Sequence, residues 1–174
     1  MRATELLDGC SETETEATGV GELRVVFVSD AYRGRNGTGT YYPDLVAQLS
    51  PRLSAVELIQ PATDGEDTAA SIPMPGDPTQ RLAIPAWGRI ERAMQRVRPN
   101  IVIAATPGPF GLQALRAARR HGSVLLSGYH TDFIQLLELY WGPLRKALVV
   151  PTLRRFQHLL WRSSDAVLVN AGDV

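Results

Sequence analysis

Four short runs in this chain are apolar at nearly every position: "LRVVFVS" (23–29), "IVIAA" (101–105), "SVLLS" (123–127) and "AVLVN" (166–170). A strand with one wet face alternates apolar and polar side chains, whereas a strand buried on both faces does not. These runs restrict the chain to a sheet covered on both sides, with the alternating "AVELI" (55–59) as a further strand. The segments between them supply the covers. Leu45, Val46 and Leu49 in "YYPDLVAQLS" (41–50) recur at helical spacing, with Pro43 near the start, where proline is tolerated. "AWGRIERAMQRVR" (86–98) places Trp87, Ile90, Met94 and Val97 three and four apart and is stopped by Pro99. "GLQALRAARRHG" (111–122) carries its arginines on one face and ends in Gly122. A helical region follows over 133–163. Residues 60–86, rich in Pro, Gly, Asp and Thr, read as a long irregular connection. The alternation predicts an α/β fold: a Rossmann-like parallel sheet with helices on both faces.

Charge divides the chain. Residues 1–22 hold six acidic groups and one basic group, lack periodicity, and read as a disordered acidic tail. The domain is expected over 23–174, where 17 basic and 12 acidic side chains leave it about five positive. The single cysteine, Cys10, excludes an internal disulfide. No run is apolar enough to span a bilayer and no signal-peptide core opens the chain, so a cytoplasmic location is expected. Nothing in the pattern indicates a nucleic-acid partner.

In a doubly wound parallel sheet, ligands sit beyond the carboxyl ends of the strands. Three polar or glycine-rich segments fall there: "SDAYRGRNGTGT" after the first strand, "TPGPFG" after "IVIAA", and "GYHTDF" after "SVLLS". Glycines in "NGTGTYY" (36–42) let backbone N–H groups approach an anion, and a helix N-terminus adds a favourable dipole, so a nucleotide diphosphate is the ligand class indicated. The segment lacks the third glycine of a dinucleotide fingerprint and the lysine of a P-loop, and a plain loop before a helix is the alternative. His130 stands at a strand end, where an imidazole can donate to a sugar hydroxyl or assist proton movement near neutral pH. A histidine satisfied by a structural hydrogen bond is the alternative there. The three histidines have no spacing that supports a metal site.

"RVVFVSDAYRGRNGTGTYYPDLVAQL", "RPNIVIAATPGPFGLQALRAARRHGSVLLSGYHTDF" and "LLWRSSDAVLVNAGDV" together resemble the N-terminal domain of the family 4 retaining glycosyltransferases, nearest to mannosyltransferase-like and glycolipid-synthesising members. The resemblance runs from about Leu23 to the end of the sequence. It implies one half of a GT-B fold, in which this half mainly holds the acceptor and a second Rossmann-like domain holds the nucleotide sugar. His130 matches the family's active-site histidine. Gly37, Thr38 and Gly39 match the loop that approaches the donor phosphates, and Tyr32, Tyr129 and Asp132 would border the acceptor pocket. No cofactor or bound metal is implied; the nucleotide sugar is a substrate. The sequence stops at Val174, where a full-length member would be entering the interdomain link. The donor domain is thus expected to be missing, whether by truncation, as an isolated domain or as a subunit, and this piece is expected to be inactive alone.

The implied reaction is transfer of a hexose from a nucleotide diphosphate sugar to an alcohol of a lipid or sugar, with retention. A non-catalytic sugar- or lipid-binding module and another Rossmann-like nucleotide-binding enzyme, such as an oxidoreductase, are the alternatives. The oxidoreductase needs a ribose-binding acid after the second strand, and "AVELIQPATD" offers only Asp64. Residues 138–162 carry five cations (Arg145, Lys146, Arg154, Arg155, Arg162) against Glu138, interleaved with Tyr140, Trp141, Phe156 and Trp161. Leu153, Phe156 and Leu160 are expected to face the sheet, and Arg154, His158, Trp161 and Arg162 the outside. That is the pattern of a helix on an anionic lipid surface, which would place the protein peripherally at the inner face of a membrane; a solvated basic face over an ordinary core helix is the alternative.

Overall fold

The computed structural model describes residues 19, 22–35, 37–61, 68–74, 77–129 and 142–169. The acidic tail expected over 1–22 lies outside these, apart from Gly19 and Glu22.

The apolar runs form one sheet. Strands β1 (Arg24–Val28), β2 (Ala55–Ile59), β5 (Ile101–Ala104), β6 (Val124–Tyr129) and β7 (Ala166–Val169) pair in the order β2-β1-β5-β6-β7, every pair parallel. Helix α1 (Gly37–Leu49) covers one face. Its Tyr42 packs edge-tilted on Phe27 at 5.7 Å between ring centres, with Leu45, Val46 and Leu49 beside it. Helices α2 (Trp87–Val97), α3 (Pro109–His121) and α4 (Pro143–Arg162) cover the other, through Ile90 and Met94, Phe110 and Ala114, and Leu160. Cover on both faces is why β1 and β5 are apolar along most of their length. The edge strand β7 departs from the expected burial: it is exposed at every position despite its apolar sequence.

Helix α1 begins at Gly37, several residues before the expected start, so Pro43 lies inside it. Proline has no N–H for the carbonyl four residues back, here that of Gly39. The Gly34 N–H donates to that carbonyl instead, at 3.2 Å, which ties the preceding turn to the helix. Gly34 has φ +69°, a conformation glycine adopts without strain. Gly122 ends α3 in the same left-handed region, as expected.

Residues 60–86 depart from the reading as an irregular connection. They contain an antiparallel hairpin, β3 (Thr68–Met74) with β4 (Asp77–Pro85), apart from the main sheet. Each strand of a two-stranded ribbon has one unpaired edge, so its prolines need not remove a ladder bond. The hairpin is held by tertiary contact: Ala83 is fully buried in the core, and Gln113 of α3 donates to the Pro85 carbonyl at 3.3 Å.

Helix α4 is rotated relative to expectation. Among its described side chains Val150, Gln157 and Leu160 are buried, while Phe156 and Leu159 are exposed. Trp161, expected outside, packs edge-on against Tyr129 at 5.4 Å. A buried glutamine in the inward stripe is what the apolar spacing could not reveal.

Candidate functional site at the carboxyl edge of the sheet

From β1 the chain leaves through α1 on one face, and from neighbouring β5 through α3 on the other. The two loops diverge, and the crevice between them is the usual ligand position of a doubly wound sheet. Residues 29–35 and 105–108 form its walls. The ladder extends into both, with Ser29 N–H on the Ile59 carbonyl at 2.9 Å and Ala105 N–H on the Val28 carbonyl at 2.8 Å.

Asp30 joins the walls. Its backbone N–H donates to Thr106 Oγ1 at 2.7 Å, and that hydroxyl donates back to Asp30 Oδ2 at 2.6 Å. The same Oδ2 accepts the Gly108 N–H at 3.0 Å, and Oδ1 accepts the Phe110 N–H at 2.8 Å. Gly108 is the N-cap of α3 and has no side chain to cap with, so a carboxylate 78 residues earlier caps the helix in its place. Burial pushes the Asp30 carboxyl up to about 6, against the Thr106 hydroxyl and the amides of Phe110, Gly108 and Gly111, which pull it down.

The motif "TPGPFG" is shaped around this contact. A Cβ on Gly108 would stand 2.5 Å from the Asp30 carboxylate, and one on Gly111 would stand 2.0 Å from the Thr106 carbonyl oxygen. Neither position admits a side chain. Pro109 opens α3, where a missing N–H costs nothing.

The β1 wall continues through buried Tyr32, over whose ring the Arg35 guanidinium sits at 6.0 Å, and through a turn closed by Arg35 N–H on the Tyr32 carbonyl at 3.2 Å. It ends at Gly37, Thr38 and Gly39, which form the first turn of α1 instead of a loop before it. That turn contains no acidic residue, and the space where a Gly37 side chain would go is open.

Tyr129 closes β6, two strands from β1, or about 10 Å away by ordinary strand spacing. It is half-buried against Trp161. His130 and Asp132 lie outside the described residues, as does Asp64. Among the described residues, the polar atoms buried without a hydrogen-bond partner include the whole carboxamide of Gln60, just after β2, and Ser127 Oγ in β6. The sequence reading thus named Tyr32 and Gly37–Gly39, which one loop brings together, but not Asp30, Thr106, Gly108 or Gly111. An acid directly after the first strand and a glycine pair after the third were the available signals.

The parallel order with helices on both faces places the chain in the class of doubly wound, Rossmann-like α/β domains. Within that class the chain belongs to Glycosyltransferase Family 4, whose sequence profile it matches over residues 35–174. No curated protein matches it. Membership makes this a glycosyltransferase domain and removes the oxidoreductase alternative.

Proposed function

We propose that the chain is the acceptor-side half of a retaining GT-B glycosyltransferase, which moves a hexose from a nucleotide diphosphate sugar to an alcohol of a lipid or sugar. The observation that carries this reading is the family match over a domain whose switch-point loop ends in Gly37-Thr38-Gly39 at the start of a helix. Leaving-group departure puts charge on the diphosphate. First-turn amides and the positive end of the α1 dipole suit that charge without a metal. The α3 N-terminus, by contrast, is already filled by the Asp30 carboxylate.

In this reading His130 is the active-site histidine, hydrogen-bonding the transferred sugar, and Tyr32, Tyr129 and Asp132 border the acceptor. The contact between Tyr129 and Trp161 would give that pocket a firm aromatic wall.

The acceptor side would rest on an anionic membrane surface. Helices α3 and α4 contain no acidic residue, and the outer face of α4 combines Arg154, Arg155 and Arg162 with exposed Phe156 and Leu159. Cations beside exposed apolar groups suit an interfacial helix. No helix among the described residues is long and apolar enough to cross a membrane.

The test is an assay for hexose transfer from nucleotide diphosphate sugars, with the anomeric configuration of the product read by NMR. Retained configuration supports the reading; inversion, or no transfer from any such donor when the donor domain is supplied, defeats it.

A further inference from the structure

The sequence-derived site has no place for Asp30, yet its carboxylate and backbone join both walls of the crevice through four hydrogen bonds. We infer that Asp30 is a positioning residue: by seating its carboxylate on the α3 N-terminus it clamps the β1 wall to the β5 wall and so fixes where Gly37–Gly39 stand. The clamp reaches the glycines through contacts already described. Asp30 anchors the loop, Tyr32 is buried in the same core cluster as Phe110, the 32–35 turn follows, and Gly34 N–H donates to the Gly39 carbonyl. The two glycines that receive it, Gly108 and Gly111, admit no larger residue at their present positions. A carboxylate used only to cap a helix would not require the partner hydroxyl to bond both its side chain and its backbone, as Thr106 does.

Ligand approach at α1 rests on the reading above, but the clamp itself is testable without any sugar. The groups facing Asp30 are the Thr106 hydroxyl and the amides of Gly108, Phe110 and Gly111; the cations on its own loop, Arg33 and Arg35, are exposed. In the seat its carboxyl titrates near 6, whereas a released loop returns it to the ordinary range around 3.8. The closed form therefore binds a proton that the open form does not, and closure strengthens as pH falls through 6.

Hydrogen exchange of the Gly108 and Phe110 amides in residues 1–174 reads the opening. Corrected for intrinsic rates, protection should be about tenfold greater at pH 5 than at pH 7.5. Asp30→Asn keeps the shape but cannot titrate, and should abolish that difference. Paired spin labels at Arg33 and Arg120, in a Cys10→Ser background, read position: a single narrow distance in the parent and a broad distribution in Asp30→Ala. Should Asp30→Ala not fold, Thr106→Val, which removes the hydroxyl arm alone, takes its place in the distance measurement. A pH dependence of protection that persists in Asp30→Asn overturns the inference, as does a distance that stays narrow without the clamp. Neither result bears on whether the domain serves a glycosyltransferase.

Discussion

At the scale of single residues, the carboxyl edge turns on which groups tolerate an added atom. Gly108→Ala would press a methyl against the Asp30 carboxylate, at 2.5 Å, and should cost about 1–3 kcal/mol by urea unfolding. Most of that cost should vanish in an Asp30→Ala background, a coupling that a double-mutant cycle measures directly. Gly111→Ala meets a backbone oxygen at 2.0 Å, which no side-chain change relieves, so its cost should persist in either background. Asp30 also gives stability a pH dependence. Its folded-state value lies above its unfolded one, so the ionised form is penalised on folding. The parent should gain stability relative to Asp30→Asn as pH falls from 7 to 4, by up to about 3 kcal/mol. A gain in the opposite direction would mean that hydrogen bonds outweigh burial in the seat. None of this was legible from the sequence, because a trans cap joins positions 30 and 108 through the sheet, and no local pattern spans that distance. The place of Tyr32 and the glycines beyond the first strand was legible because that strand announces itself.

At the scale of elements, the central strands β1 and β5 were readable because burial on both faces leaves few polar positions to confuse the period. The run "AVLVN" was found by its composition, but it forms an exposed edge strand and not a buried one. The β3–β4 hairpin was not readable, since its prolines and glycines look like loop chemistry and its support, Ala83 in the core and Gln113 on the Pro85 carbonyl, is tertiary. Helix α4 was recognised but rotated, because Gln157 takes a buried place and leaves Phe156 outside. The rotation changes the membrane prediction. Phe156 and Leu159, not Trp161, stand beside the arginines on the exposed face. Each cation near an anionic surface contributes about 1 kcal/mol, so Arg154→Glu/Arg155→Glu/Arg162→Glu should weaken vesicle binding by at least about a hundredfold. Co-sedimentation with anionic and neutral vesicles at two salt concentrations checks this. Equal binding to both lipids, or no loss in the triple variant, would remove the membrane contact and favour a soluble acceptor.

At the scale of the whole molecule, family membership and strand order agree on a glycosyltransferase domain with a Rossmann-like sheet, which in the proposed function offers one wall of a catalytic cleft. Positioning two substrates together is worth roughly 7–11 kcal/mol of barrier, and one wall cannot hold both. Residues 1–174 alone should therefore show no turnover of a nucleotide sugar above a control. The most direct test of the central claim is the initial rate of hexose transfer from a nucleotide diphosphate hexose, by residues 1–174 joined to a donor-binding domain, parent against His130→Ala. The account predicts donor-dependent transfer that falls by about 10²–10⁴-fold in the variant while the unfolding midpoint barely moves. A variant rate within about threefold of the parent would make His130 structural, and no transfer by the parent from any such donor would contradict the assignment of the reaction itself.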